Sequence, residues 1–310
     1  MTITRQFVPT LLLICCMGTA HGDINTARMA MENPDNPLLL MRTSRGDVYL
    51  ELFPQAAPRN VANFIALAHG DVPLEPSESP AEVSPPVGSA AGSATGSAAG
   101  SAAGSGESPV PSSPSPYYDN LTFHRVLPGF LVQSGAPRTP GSPIPAYWIE
   151  DEINARQLGL HEQKVLDETG NPHPWLNLQD AADFQRQILV PLYRRLGITT
   201  PRMLETRQSE VLSTLSDMTL QQAYENMGYR YNERLTSREP LRGAVAMAGS
   251  APNTNRSEFF ITLNDAPWLA GRATIIGQVV EGMGVIDLIS QAPTTNRGTI
   301  YTIRQVSPTP

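Results

Sequence analysis

The stretch from residue 71 to residue 116 constrains this chain more than any other, because it is dominated by Pro, Ser, Gly and Ala and repeats Gly-Ser-Ala-Ala. Such a tract has almost no large apolar side chain to bury, cannot offset the entropy of ordering, and is expected to be a disordered linker. It need not divide the chain into two domains. Loop-closure cost grows only logarithmically with length, so an interruption of this size adds about a kilocalorie per mole over a short loop. One folded domain can therefore draw on residues from both sides of it.

Both sides read as β. Residues 38–42 and 47–52 are strand-like, with Ser44, Arg45 and Gly46 as turn chemistry between them, which predicts a hairpin. Pro58 suits the first turn of a helix, Val61, Phe64, Ile65 and Ala68 recur at helical spacing, and Gly70 ends the pattern. Beyond the tract, residues 121–135 and 243–280 read as short strands broken by Gly, Pro and Asn.

Between those two blocks, residues 154–237 change to helical periodicity and predict an inserted α-helical subdomain. Phe184, Ile188, Leu192, Tyr193 and Leu196 share one face, with a kink expected at Pro191. Thr200 and Pro201 open a second helix carrying Leu204, Val211, Leu212 and Leu215. Thr219 with Gln222 forms a capping box for a third, which stops at Gly228.

Arg5, an apolar run over residues 7–17, and the small residues Gly18, Ala20 and Gly22 have the layout of a secretory signal peptide over residues 1–22. The run is shorter than the roughly 20 residues a membrane span needs, so no span is expected after cleavage. Cys15 and Cys16, the chain's 2 cysteines, lie inside this leader, and cleavage leaves no thiol chemistry. A retained lipoprotein is the lesser alternative, because bulky Ile14 precedes Cys15. The net charge of -7 gives no basic footprint for nucleic acid. His21, His69, His161 and His173 lack metal-ligand spacing, so neither a metal nor another cofactor is expected.

Two constellations carry chemistry. Phe123-His124-Arg125-Val126-Leu127-Pro128-Gly129-Phe130-Leu131-Val132-Gln133 sets an arginine among apolar strand residues and follows it with a glutamine. Met247-Ala248, Pro252-Asn253-Thr254-Asn255 and Ser257-Glu258-Phe259-Phe260-Ile261 form the second. Alternation along both would place aromatic and polar groups on one strand face, over an apolar floor.

In order along residues 38–306, apart from the two insertions, these motifs resemble the cyclophilins. Ala57-Pro58-Arg59-Asn60-Val61-Ala62-Asn63-Phe64 looks like the family's opening, and Trp268-Leu269-Ala270-Gly271-Arg272, Ile276-Gly277-Gln278-Val279 and Glu281-Gly282-Met283 like its close. The resemblance implies a mainly β fold: a closed eight-stranded antiparallel barrel capped by two helices, with a proline-binding groove on its outer face. The domain would span 38–307, interrupted at 71–116 and 154–237. It implies a peptidyl-prolyl cis-trans isomerase that acts on proline-containing polypeptides and, given the leader, assists folding in the bacterial periplasm.

By the same resemblance Arg125 is the catalytic donor to the prolyl nitrogen. Phe130, Leu131, Phe260 and Leu269 grip the proline ring, Gln133 holds the substrate backbone, and Trp268, Ala248, Gly249, Glu258 and Ala273 complete the groove. His124 is assigned a structural role, because bond rotation transfers no proton and gives a general base no task. Three positions depart from the family: Glu258 replaces the usual glutamine, Gly249 a common asparagine, and Ala273 a common histidine or tyrosine. The expectations that follow are a more negative groove, pairing of Glu258 with Arg125, and weakened cyclosporin binding. The alternative reading is a weakly active or inactive binding module or chaperone that works through its groove and helical insertion, the latter also a site for an envelope partner.

Overall fold

The computed structural model describes residues 22–72, 74–76, 115–137, 142–145 and 147–307. The leader expected at 1–22 lies outside them except for Gly22, and so does the linker expected at 71–116 except for its ends.

Helix α1 (Ile24–Ala30) begins at Asp23, whose carboxylate accepts hydrogen bonds from the Asn25 and Thr26 amides. Strands β1 (Leu38–Thr43) and β2 (Gly46–Leu52) form the hairpin that the sequence predicts. Helix α2 (Pro58–His69) carries Pro58 in its first turn and ends at Gly70, whose φ of 86° suits glycine. No local side chain caps its start; instead the distant Glu152 carboxylate accepts from the Arg59 amide at 3.0 Å and the Asn60 amide at 2.9 Å. β3 (Leu74–Pro76) pairs with β7 (Pro143–Pro145), and between them come β4 (Leu121–Thr122), β5 (Arg125–Leu127) and β6 (Leu131–Ser134).

Helices α3 (Ala181–Phe184), α4 (Val190–Arg195), α5 (Pro201–Thr206), α6 (Gln208–Asp217) and α7 (Leu220–Met227) follow. The chain then returns to strands with β8 (Ala244–Met247), β9 (Phe259–Thr262) and β10 (Ile275–Glu281), and closes with α8 (Met283–Gln291) and β11 (Thr299–Gln305).

All strands but β3 and β7 join one 9-stranded antiparallel sheet in the order β4-β11-β1-β2-β10-β8-β9-β6-β5. Its two edge strands, β4 and β5, are separated in sequence only by Phe123 and His124, so the sheet must curl until its edges approach each other. The expected count of eight becomes nine because the run through 121–127 is broken: Phe123 turns into the core, with its amide donating to the Gly298 carbonyl. Among the described residues no ladder joins β4 to β5: β4 pairs with β11 and β5 with β6.

Inside the curl lies one apolar core in which Leu50, Val132, Ile261 and Ile276 from the sheet meet Phe64 of α2 and Ile286 of α8. Phe64, Tyr118 and Phe259 pack ring against ring at its centre, with centroids 4.8 to 5.5 Å apart. The helices between β7 and β8 have a core of their own, built around Leu160, Val165, Ile188, Leu192, Val211 and Tyr224.

Local expectations in this helical segment meet mixed outcomes. The capping box forms, with Gln222 N donating to Thr219 Oγ1 and Thr219 N to Gln222 Oε1, and Gly228 ends α7 at φ 110°. Pro191 does not simply kink its helix: α3 runs into α4 through a π-helical turn, Gln185–Leu189, just ahead of it. A wider turn there accommodates the missing proline N–H and its ring. The second helix divides into α5 and α6 at Arg207, and Leu212 is exposed while Val211 and Leu215 of the same helix are buried.

Candidate active site

Strand register assembles the site. Arg125 pairs across to Gln133, Gln133 to Phe260, Phe260 to Ala246, and Ala246 to Ile275, so these residues form one row across four adjacent ladders. The neighbouring row, Val126, Val132, Ile261 and Val245, points into the core. The two-residue period of the sequence is thus realised, and it puts the polar and aromatic groups on the outer face.

On that face Leu131, Ala246, Phe260 and Ile275 make an apolar floor, with Phe130, Leu269 and Ala273 packed on it. A short 3-10 turn, Pro267–Leu269, brings Trp268 to the rim, where its ring lies 5.5 Å from that of Phe130. The result is a groove of about 300 Å3 lined by Arg125, Phe130, Leu131, Gln133, Ala248, Gly249, Phe260, Trp268, Leu269 and Ala273. Of the residues singled out from the sequence, Glu258 alone stands outside that lining, behind Gln133.

Glu258 therefore does not pair with Arg125, contrary to expectation. Gln133 lies between them: Arg125 Nη1 donates to Gln133 Oε1 at 3.3 Å, and Gln133 Nε2 donates to Glu258 Oε2 at 2.7 Å. The direct partner of Glu258 is His124, whose Nε2 lies 3.3 Å from the same carboxylate oxygen. Burial opposes ionisation of Glu258. Hydrogen bonding and charge from His124, the Gln133 hydrogen bond and the Arg125 charge outweigh it and hold the carboxyl below its ordinary pKa. His124 is thus an anchor for the carboxylate at the back of the site.

Gly249 has a steric reason. A Cβ there would stand 3.0 Å from Thr254 Oγ1 and 3.2 Å from the Ala251 carbonyl, so the loop leaves little room for a side chain. Behind that loop Asp151 accepts from the Asn253 amide at 2.7 Å and from Asn255 Nδ2 at 3.1 Å, and burial pushes its carboxyl pKa up.

The groove has a second wall that sequence reasoning missed. Asn177, Gln187, Met227 and Tyr229 of the helical segment line it, as does Arg272. The segment is held there by a tyrosine cluster: Tyr231 Oη donates to the Gly271 carbonyl at 2.9 Å, and the Arg272 guanidinium lies 5.7 Å from the centre of the Tyr224 ring. Burial disfavours the Arg272 charge, but Tyr229, Tyr224 and Tyr231 around it more than compensate, and its pKa rises. Burial pushes the Tyr224 hydroxyl to about 12. Gly271, at φ 78°, permits the close approach, since a Cβ there would overlap the Leu160 side chain. The spacing Tyr224, Tyr229, Tyr231 was a visible signal, but nothing local tied it to Arg272.

A fold of this kind with an arginine-edged apolar groove defines a class. The family model described as cyclophilin type peptidyl-prolyl cis-trans isomerase/CLD matches residues 38–307, and the chain belongs to that family. Similar proteins include peptidyl-prolyl cis-trans isomerase B of Streptomyces anulatus, 25% identical over 259 residues, covering 83% of this chain and 85% of that one. Peptidyl-prolyl cis-trans isomerase A of Mycobacterium tuberculosis is 25% identical over 256 residues, 82% of this chain and 80% of that protein. A solved Cryptosporidium parvum cyclophilin type isomerase, crystallised in the presence of the dipeptide Ala-Pro, shares 18% identity at a TM-score of 0.42, covering 87% of this chain and 99% of that one.

Proposed function

We propose that the protein accelerates cis-trans rotation about X-Pro bonds in polypeptide clients, and that these clients are exported proteins met outside the cytoplasm. The observation that carries the activity is the position of Arg125: exposed at the rim, tethered by Gln133, and beside the apolar floor that Phe260 and Leu131 provide.

The peptidyl-prolyl bond owes its barrier of ~18 to 20 kcal/mol to delocalisation of the nitrogen lone pair. A rate on the order of a thousand turnovers per second requires a barrier near ~13 kcal/mol, so about 5 to 7 kcal/mol must come from the site. A guanidinium N–H aimed at the prolyl nitrogen draws the lone pair out of conjugation and binds more strongly as the bond twists. That is stabilisation of the transition state over the ground state. The apolar floor holds the ring while the carbonyl side turns, and no covalent step or proton transfer is needed.

The apolar run over residues 7–17 supports export to a periplasm, and localisation of a tagged chain in cell fractions tests it. The approach of β4 and β5 supports a barrel closed through the chain itself. Ala273 at the rim supports weakened binding of cyclosporin-type macrocycles, and the helical segment offers a surface for an envelope partner. For the activity, the test is magnetisation exchange between cis and trans Ala-Pro in a short peptide, with and without Arg125→Ala.

A further inference from the structure

The helical segment borders two cavities, and one asparagine lines both. The first is the groove over Arg125 and Phe260. The second, of about 630 Å3, lies within the segment itself and is walled by Leu166, Leu178, Phe184 and Leu215. Asn177 ends the short turn Pro174–Leu176 in a left-handed conformation, and it is common to the two linings. The turn itself packs against Pro267–Leu269, the element that carries Trp268 to the groove. Leu166, Leu178 and Phe184 are half-buried, so the second cavity leaves apolar surface facing water.

Continuity identifies the occupant. A chain whose proline sits in the groove and leaves it past Asn177 runs directly toward the second cavity, and extended backbone advances by about 3.3 to 3.6 Å per residue. A side chain a few positions from the proline then reaches it. Chains in need of prolyl isomerisation are unfolded, and unfolded chains expose the large apolar side chains that native ones bury.

Resting on the isomerase reading, we infer that this cavity is a second client subsite, which takes a large apolar side chain of the same polypeptide, displaced along the chain from the proline. The enzyme is thereby selective for unfolded segments in which an apolar residue accompanies the proline at a set distance. Short peptides use the groove alone.

The test uses the full chain and dodecapeptides of Ala, Ser and Gly with one central proline. A leucine is placed in turn at each position two to six residues before or after it. At the matching position kcat/KM rises about tenfold or more over the leucine-free dodecapeptide, through KM and not kcat, as burial of one leucine implies. Phe184→Ser and Leu178→Ser each remove that gain, while both variants turn over an Ala-Pro tetrapeptide at the wild-type rate, which also shows them folded. A gain at no position, or a gain that survives both substitutions, overturns the subsite; the second result assigns the effect to the groove. If no peptide is turned over at all, the isomerase reading has failed separately. Fluorescence anisotropy of labelled dodecapeptides then decides the subsite: tighter binding of the leucine peptide, lost in Phe184→Ser, sustains it, and equal binding overturns it.

Discussion

The Gln133 side-chain amide donates to the Glu258 carboxylate at 2.7 Å, and this contact fixes which end of Gln133 faces the groove. A carboxylate is an acceptor only, so the amide nitrogen must point at Glu258 and the amide oxygen at Arg125. The orientation of the Arg125 guanidinium is thus set two side chains away, by a residue outside the groove lining.

Replacing Glu258 by glutamine removes a negative charge behind Arg125 and frees its field toward the prolyl nitrogen. We expect kcat/KM on an Ala-Pro peptide to rise by roughly two- to fivefold. An unchanged or lower value would show that the orientation of Gln133 matters more than the charge.

The same carboxylate gives a pH signature. Its folded-state pKa is held below the ordinary value, so its contribution to stability is complete above the unfolded-state pKa of about 4.3 and is lost as pH falls through the folded value. In urea unfolding from about pH 5 to about pH 3, the stability difference between wild type and Glu258→Gln should shrink as the carboxylate takes up its proton. A difference that grows over that range contradicts the assignment.

Glu152 should matter for folding instead of turnover. It is buried and receives the Arg59 and Asn60 amides and Asn60 Nδ2, so it does the work of the missing N-cap of α2. Glu152→Ala leaves the two backbone amides without a partner, while Asn60 Nδ2 keeps the Glu150 carbonyl at 3.0 Å, and should cost about 2 to 3 kcal/mol in chemical unfolding, with the denaturant slope unchanged.

Gly271 joins the sheet to the helical segment. Gly271→Ala combines a strained φ with overlap on Leu160, and should destabilise by about 2 to 4 kcal/mol. Because Tyr229 and Arg272 would move with it, KM for peptide should rise while kcat changes little. Thermal unfolding and peptide kinetics on the one variant check both statements.

What was legible in the sequence followed from local rules. The hairpin of β1 and β2, the start of α2 at Pro58 and its stop at Gly70, and the Thr219 box are each decided by residues a few positions apart. The outer row Arg125, Gln133, Phe260 followed from strand alternation once the family's motifs had aligned the segments. The groove's second wall was not legible, because Asn177, Gln187, Met227 and Tyr229 reach it only through tertiary placement of the helical segment, which Tyr231 fastens to the Gly271 carbonyl. The partner of Glu258 was misassigned for a related reason. Which of two nearby cations a carboxylate meets depends on whether a third side chain stands between them, and Gln133 does.

The central claim rests on Arg125, and cis-trans exchange of an Ala-Pro peptide in the presence of wild type and Arg125→Ala tests it most directly. The side chain is exposed and its loss should leave the fold intact, as matching thermal unfolding curves would show. We predict fast exchange with wild type and a fall in kcat/KM of about 100- to 1000-fold in the variant. Exchange by Arg125→Ala within threefold of wild type, or none by folded wild type, would contradict the account.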